Sequence, residues 1–342
     1  MRLISILSES PSGLSPSEIE GKFGASRATL NRALRDALSA GDIVRVGAGA
    51  ATRYQIADPL HAIRAYFERP HTERKFTTYR DELLSVEPAF DTSSLPSIER
   101  FSPLEKRDLV RFLVDFSCAS SILEGGTYSL LDTQALIEYG EKAPDKPLAD
   151  AFLVLNHKNA FEYVFEHCEF TSQVVMEVHR RLVDDHGMPA LKDAPHFLPK
   201  ERSGVRRYED VTIAHSTYAP PTRPATDFLE RKLDQIIDTA NGIADPIQSS
   251  FYLMTRLPYL QPFADGNKRT SRALCSIPLI RAGLPPISFS DFNKRDYILS
   301  ILSFYELGST KMASKCFCDA YVASCRRLGL LDENNTDMPA FK

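Results

Sequence analysis

Residues 261–272 read Gln-Pro-Phe-Ala-Asp-Gly-Asn-Lys-Arg-Thr-Ser-Arg, and this stretch decides the fold. A helical apolar pattern ends near Leu260, a glycine-containing loop follows, and a second helix is predicted to begin near Asn267. The start of a helix carries unpaired N–H groups and a partial positive charge, so it attracts anions. The two arginines of the stretch lie three residues apart on one face of that helix. The stretch therefore predicts a polyphosphate site.

The side chains of this stretch suit such a ligand. Guanidinium groups, here those of Arg269 and Arg272, bind phosphate oxygens bidentately. The Asp265 carboxylate is a hard oxygen ligand of the kind that Mg²⁺ needs beside phosphates. Phe263 is apolar and is expected to anchor the loop in the core. Composition alone leaves a second interpretation open, a solvated turn with charged side chains.

The stretch resembles the Fic signature, His-Pro-Phe-x-Asp/Glu-Gly-Asn-Gly/Lys-Arg-x-x-Arg, and every position but the first fits. Proteins of that family transfer a nucleotide monophosphate, most often AMP, onto a hydroxyl side chain of a target protein. The resemblance implies ATP and Mg²⁺ as cofactors, with Asp265 as the metal ligand. The nucleotide ligands that it implies are Gly266, Asn267 and Lys268 for the α- and β-phosphates, Arg269 in support of the phosphates, and Arg272 for the γ-phosphate.

The departing position is Gln261, where the family has histidine. In the family this histidine deprotonates the target hydroxyl, a role that suits a pKa near operating pH. A glutamine amide has no proton that titrates near pH 7, and loss of a positioned base typically costs about 10²–10⁴ in rate. The resemblance therefore implies a protein that binds nucleotide and is impaired in transfer.

A second motif is the run Ser-Ser-Ile-Leu-Glu-Gly at residues 120–125. It is similar to the inhibitory-helix pattern of the family, Ser/Thr-x-x-x-Glu-Gly/Asn, which implies inhibitory roles for Ser120 and Glu124. Glu124 would pair with Arg272 and occupy the place of the γ-phosphate. The inhibitory helix is expected near 103–124. An ordinary helix end at two glycines is the other interpretation.

Strand-like sequence at about 206–214 resembles the β-hairpin flap of the family. Such a flap holds a target segment as an added strand, so the backbone near Thr212 and Ile213 would register the target protein. Tyr297 and Tyr305 match the region where the family binds adenine and ribose.

Two alternatives stay open. The protein could be an active nucleotidyltransferase, autoinhibited by Glu124, in which His215 of the flap replaces the missing base, although a surface histidine is the plainer interpretation of that residue. Alternatively, Gln261 could be an engineered change in an ordinary transferase. The phosphate-binding groups are intact in every case.

Residues 1–57 predict a winged helix-turn-helix. A first helix, Leu3 to Ser8, is followed by a second and a third helix separated by a turn at Gly24. A hairpin, the wing, comes next, and its Arg45 and Arg53 are expected to reach a DNA backbone. Seven Lys and Arg against five Asp and Glu make this unit basic. Its third helix would enter the major groove with the phosphate- and base-contacting side chains Arg27, Asn31, Arg32 and Arg35. Protein contact or intramolecular packing is the alternative, and binding to a palindrome would favour a homodimer.

The predicted class is mainly α: a helical core with a β-hairpin flap and the small N-terminal domain. Residues 58–101 are expected to form a connecting helical segment, 102–330 the Fic domain and 331–342 a polar tail. The net charge of −4 gives no global field for nucleic acid. No run of eighteen apolar residues occurs and the six cysteines are scattered. A cytoplasmic protein with reduced thiols and no membrane partner is therefore expected.

Overall fold

The computed structural model describes residues 3, 6–7, 13–57, 60–85, 90, 92, 95–96, 106–222 and 227–331. The chain divides into two compact units, Met1–Pro70 and His71–Phe341. The mainly helical class is confirmed.

The first unit contains α1 (Pro16–Phe23), α2 (Arg27–Ala40), β1 (Ile43–Val46), β2 (Arg53–Ile56) and α3 (His61–Glu68). Ser15 and Glu18 form a reciprocal capping box at the start of α1, and Gly24 ends that helix with a φ of 64°. The strands pair antiparallel, from Ile43 opposite Ile56 to Val46 opposite Arg53. Two helices followed by a hairpin are the element order expected of a winged helix-turn-helix. The unit also includes α3, so it extends beyond the predicted boundary at residue 57.

The core of the first unit comes from apolar positions spaced for one face of each helix. Leu30 and Leu34 of α2 are buried together with Ile19 and Phe23 of α1 and with Ile43 of β1. Since positions four apart share one face of a helix, the remaining faces of α2 are left to solvent.

The second unit is a helical bundle with one short parallel strand pair among its described residues. Its elements are β3 (Thr77–Thr78), α4 (Glu82–Ser85), α5 (Lys106–Glu124), α6 (Leu130–Tyr139), α7 (Leu148–Glu166), α8 (Ser172–Val183), β4 (Tyr218–Ala219), α9 (Phe228–Gly242), α10 (Pro246–Leu260), α11 (Asn267–Leu274), α12 (Ser276–Arg281), α13 (Lys294–Leu307) and α14 (Lys311–Arg327). The described part of the predicted inhibitory helix is α5; residues 97–105 lie outside the described residues.

Helix α10 lies at the centre of this bundle. The Asp245 carboxylate caps it and Pro246 occupies its first turn. Every residue from Ser249 to Leu260 is buried, as expected for a helix that is apolar all round. Helices α9 and α11 pack against α10, while α7 and α8 pack against α11. The loop between α10 and α11 is therefore held from several sides.

The predicted β-hairpin flap is not formed. Residues 205–214 contain no strand, and β4 begins only at Tyr218 and pairs in parallel with the remote β3. In this segment buried Arg207 donates to the carbonyls of Glu209 and Pro221. A side chain, and not a neighbouring strand, therefore satisfies these two backbone acceptors.

The predicted connecting segment, 58–101, is divided between the units. Its described residues include α3 in the first unit and β3 and α4 in the second. In the predicted polar tail, residues 332–342 lie outside the described residues, as do 86–89, 91 and 93–94.

Candidate functional site

Gly266 sits at the start of α11 and no other residue fits there. Its φ of 77° lies in the left-handed region. A Cβ at this position would lie 2.7 Å from Val183 Cγ1 and 3.3 Å from His179 Cδ2. The glycine therefore brings the helix start close to α8, with the first N–H groups of α11 as the expected anion-binding feature.

The Asn267 side chain holds the loop together. Its Oδ1 accepts from the Phe263 N–H at 2.9 Å, and its Nδ2 donates to Phe263 O at 2.9 Å and to Gln261 Oε1 at 2.8 Å. Both ends of this amide are engaged within the loop in this structure, and the contact of Asn267 with phosphate stays a prediction.

His179 supports the same loop and was missed by the sequence analysis. Its ring stacks on Phe263 with centroids 3.7 Å apart. Its Nδ1 accepts from the Gly204 N–H at 2.9 Å, so its Nε2 donates to Asp265 O at 3.0 Å. Burial lowers the pKa of His179 to about 3, which keeps the ring neutral. The available signal was a histidine on the apolar stripe of α8, between Val175 and Leu182.

Arg269 points inward, and its predicted support of the phosphates stays a prediction. Its guanidinium is buried and donates to Leu182 O at 3.2 Å, to His196 O at 2.8 Å and to Asp265 Oδ2 at 2.8 Å. It fixes the chain after α8 and orients the acidic side chain of the loop.

Asp265 is the residue placed to meet a metal. Its side chain is 51% exposed although one oxygen pairs with Arg269. No cluster of three or more acidic, histidine or cysteine side chains occurs among the described residues. One exposed carboxylate beside the predicted phosphate site would fit Mg²⁺, which keeps several waters and takes its other ligands from phosphates.

Arg272 is fully buried at the centre of a polar cluster. Its Nε donates to Ser120 Oγ at 2.8 Å, its Nη1 to the Tyr297 hydroxyl at 2.9 Å and its Nη2 to Glu124 Oε1 at 2.6 Å. Lys268 Nζ lies 3.8 Å from the other oxygen of Glu124. The end of α5 thus brings a carboxylate onto the arginine that the resemblance assigns to the γ-phosphate.

The charges of this cluster stabilise each other. Burial acts to raise the pKa of Glu124, but the positive charges of Arg272, Lys268 and Arg269 outweigh it and hold that pKa well below its usual range. Burial acts to lower the pKa of Arg272, and Tyr297 and Glu124 keep it above its usual value. Both side chains are charged at neutral pH.

Tyr297 and Tyr305 do not present faces to a ligand. Each is 2% exposed. Tyr297 hydrogen-bonds Arg272, and the Tyr305 hydroxyl donates to Pro258 O at 2.7 Å beside Gln261. In this structure the two tyrosines are buried supports of Arg272 and Gln261, and their contact with adenine and ribose stays a prediction.

Gln261 has φ 52° and ψ 58°, a left-handed conformation that ends α10. Its Nε2 donates to Pro258 O at 2.7 Å and lies 3.4 Å from the Tyr305 hydroxyl. Its Oε1 accepts from Asn267 Nδ2. The amide at the position of the family histidine is therefore bound at both ends.

Arg207 is a second residue that the sequence analysis missed as a site residue. Its Nε donates to Gln261 O at 2.6 Å, and its backbone N–H donates to Pro262 O at 3.0 Å. Burial lowers the pKa of Arg207 below its usual value. Within the segment that it anchors, Thr212 is exposed and Ile213 is half-buried.

Both the backbone and the ring of His215 have contacts with other residues. Its carbonyl accepts from Arg74 Nη2 at 2.6 Å, and its ring lies edge-on to His71 at 6.3 Å. Arg74 in turn forms a buried ion pair with Glu306.

In the first unit, the predicted recognition side chains are all exposed on α2: Arg27, Asn31, Arg32 and Arg35. On the wing, Arg45 is exposed. Arg53 donates to Gly13 O at 2.9 Å and pairs with Glu18 at 3.5 Å, and its contact with a DNA backbone stays a prediction.

The comparisons agree on one family. Residues 169–279 match the model of the Fic/DOC family. The chain is 29% identical over 232 residues to Protein adenylyltransferase Fic of Nematostella vectensis, covering 65% of this chain and 48% of that one. It is 26% identical over 189 residues to Protein adenylyltransferase fic-1 of Caenorhabditis elegans, covering 52% and 34%. The chain thus spans between about a third and a half of the length of these relatives.

Solved structures show the same fold. Fic-1 from C. elegans superposes with a TM-score of 0.50 at 20% identity, over 90% of this chain and 78% of that one. A Fic family protein from Desulfovibrio desulfuricans G20 has a TM-score of 0.53 at 18% identity, over 68% and 69%. None of the described helices is long and apolar enough to cross a membrane.

Proposed function

We propose that this chain, whose residues 169–279 match the model of the Fic/DOC family, is a nucleotide-binding protein that transfers AMP poorly or not at all. The observation that carries the proposal is the contrast between Gln261 and Arg272. Gln261 has an amide that is hydrogen-bonded through both its nitrogen and its oxygen, and this amide cannot act as a base. Arg272 has a buried guanidinium, and its partner, the Glu124 carboxylate, lies where a phosphate is expected.

Nucleotide binding draws support from the groups around the start of α11. The helix N-terminus, exposed Asp265 and partly exposed Lys268 offer a dipole, a Mg²⁺ ligand and a cation. When bound, Mg²⁺ would neutralise phosphate charge there. The relatives named protein adenylyltransferases support ATP as the nucleotide.

Transfer requires removal of a proton from the target hydroxyl. The Gln261 amide accepts hydrogen bonds without taking a proton, and its Oε1 already accepts from Asn267. Exposed Thr212 and neighbouring Ile213 remain the proposed docking backbone for a target protein, without a preformed hairpin.

Regulation is proposed at two levels. Glu124 competes with the γ-phosphate for Arg272, with Ser120 holding the helix end against the same guanidinium. The first unit is proposed to bind DNA as a dimer through the exposed side chains of α2, so that nucleotide binding regulates a DNA-bound protein. Fluorescence polarisation with duplex DNA tests this: replacing Arg32 and Arg35 by Ala should weaken binding and lower its salt dependence, and unchanged binding would exclude it.

A second candidate is an active transferase, and the Glu124–Arg272 pair favours it because an inhibitory contact suits an activity that needs restraint. One experiment separates the two. Titration with Mg-ATP and an autotransfer assay with labelled ATP are applied to the unmodified protein, Glu124→Gly, Arg272→Ala and Glu124→Gly with Gln261→His.

We expect Glu124→Gly to bind ATP about tenfold more tightly, since the γ-phosphate gains Arg272, and Arg272→Ala to bind more weakly. No label should transfer in the Glu124→Gly protein. Robust transfer there would establish the active candidate, and loss of that transfer in His215→Ala would assign the base. Gain of transfer only with Gln261→His would show that the remaining machinery is competent.

A further inference from the structure

The side chain and backbone of Gln261 lie at the meeting point of four parts of the second unit. From this geometry we propose that Gln261 is a positioning residue. Its hydrogen bonds, here called the latch, fix the loop of residues 261–266 between α10 and α11, here called the nucleotide loop. Glutamine thereby contributes to ligand binding at the position where the family uses a base. The proposal rests on the proposed nucleotide-binding function and assigns a role to the residue that distinguishes this chain.

The first part of the latch is a helix cap. The last carbonyls of a helix lack partners within the helix. Pro258 O, in the last turn of α10, accepts from Gln261 Nε2 at 2.7 Å and from the Tyr305 hydroxyl at 2.7 Å. The side chain thus closes the end of α10 and meets α13 at the same carbonyl.

The second part crosses the loop. Gln261 Oε1 accepts from Asn267 Nδ2 at 2.8 Å, and Asn267 is the first residue of α11. The other hydrogen bonds of Asn267 close on the Phe263 backbone. One pair of side-chain amides therefore fixes the end of α10 relative to the start of α11, whose N–H groups are to receive phosphate.

The third part is Arg207. It donates through Nε to Gln261 O at 2.6 Å and through its backbone to Pro262 O at 3.0 Å. Gln261 is held at a φ of 52°, where a residue other than glycine is uncommon. The buried guanidinium also reaches Pro221 O at 2.9 Å, so the segment proposed to dock a target is bonded to the nucleotide loop.

A histidine cannot reproduce this set of bonds. The glutamine amide supplies two N–H groups toward Pro258 O and the Tyr305 oxygen, and a carbonyl toward Asn267. A neutral imidazole offers one donor and one acceptor on a rigid ring. Gln261→His should therefore restore a titratable group and loosen the loop together.

The experiment compares Mg-ATP affinity and hydrogen–deuterium exchange of residues 261–270 in the full chain. The variants are Gln261→Met, Gln261→His, Arg207→Met, and Arg207→Met combined with Gln261→Met. Methionine keeps the length of the glutamine side chain and loses the hydrogen bonds of its amide. Gln235→Ala is the matched control, because Gln235 Nε2 donates to Ser85 Oγ at 3.0 Å away from the loop.

We expect both Gln261 variants to bind Mg-ATP about tenfold more weakly, the effect of losing hydrogen bonds to buried groups, and to exchange faster at 261–270. The control should match the unmodified protein in both measurements. Arg207→Met should weaken binding, and the double variant should lose less than the sum of the single losses.

Gln261→His with unchanged affinity and unchanged exchange would overturn the latch. Absence of Mg-ATP binding by the unmodified protein would overturn the proposed function instead, and the exchange measurement would still decide the latch. Should Gln261→Met fail to fold, Gln261→His and Arg207→Met carry the same comparison.

Discussion

Arg74–Glu306 and Arg272–Glu124 are both buried ion pairs of the second unit, but their surroundings differ. Glu306 is fully buried and also accepts from Ser216 Oγ at 2.9 Å and from the Thr217 N–H at 3.1 Å. Neutral donors therefore contact this carboxylate beside the guanidinium. That pair fixes the 215–219 segment against α13 and against the chain that leads to β3.

Glu124 has a second cation beside it instead. Lys268 lies 3.8 Å from it and is 42% exposed, and Gly125 follows Glu124 at the end of α5. Arg272 keeps Ser120 and Tyr297 as partners if the carboxylate leaves. The Arg74–Glu306 pair is therefore permanent. In the Arg272–Glu124 pair, departure of the carboxylate leaves a site that another anion can fill.

The largest effect is expected from breaking the two pairs with the same substitution. Glu306→Gln should lower the free energy of unfolding by about 3–5 kcal/mol, because it leaves a buried charge uncompensated. Glu124→Gln should cost about half as much. Phosphate or Mg-ATP should recover the loss in Glu124→Gln alone, since a ligand that binds the folded state stabilises it. Urea unfolding with and without phosphate measures both.

Equal losses in the two variants, or equal recovery by phosphate, would break the distinction between a permanent and an exchangeable pair.

Stability should fall between pH 7 and pH 5 because two histidines are buried in the neutral form. Burial lowers the pKa of His157 and of His179 to about 3, whereas the usual value is 6.5. Between these values the unfolded chain binds the proton and the folded chain does not, so stability falls as pH falls. At pH 5 each histidine should cost about 2 kcal/mol relative to neutral pH.

The Glu124 pair behaves differently over that range. The pKa of Glu124 is held below its usual 4.5, so its contribution is fully present from pH 7 to 5 and is lost only at lower pH, as the pH falls through the folded-state pKa. Unfolding curves at pH 7 and 5 should therefore give the same pH slope for Glu124→Gln and the unmodified protein. A flatter slope in the variant would contradict this assignment.

The smallest effect is expected for Lys268→Ala. Its ammonium is partly exposed and 3.8 Å from Glu124, so the change should cost less than about 1 kcal/mol in stability and less than about fivefold in ATP affinity. Lys315→Ala is a matched control, because Lys315 is equally exposed and pairs with Asp319 on α14. An effect on ATP affinity as large as that of Arg272→Ala would make Lys268 a principal phosphate ligand.

Local patterns explain what could be predicted. The ends of α10, the start of α11 and the capped helices of the first unit follow from short-range rules of capping and periodicity. The Glu124–Arg272 pair was reached through the resemblance, because two motifs 148 positions apart have no local rule that joins them.

The inward orientation of several polar side chains could not be predicted, for one physical reason. Arg207 and Arg269 are charged residues that sequence patterns assign to the surface or to a ligand, yet both are buried and bind backbone carbonyls. Tyr297 and Tyr305 likewise face inward. Whether a polar side chain serves a ligand or the chain itself depends on which carbonyls approach it, and that follows from packing.

At Gln261, the sequence determines one property and the tertiary structure another. The sequence by itself determined that a base is missing there, because an amide does not titrate near pH 7 whatever its surroundings. Only the tertiary structure decided what the amide does, since Pro258, Asn267 and Tyr305 come from three different helices. Proton chemistry belongs to the residue type, whereas hydrogen-bond partners are chosen by the fold.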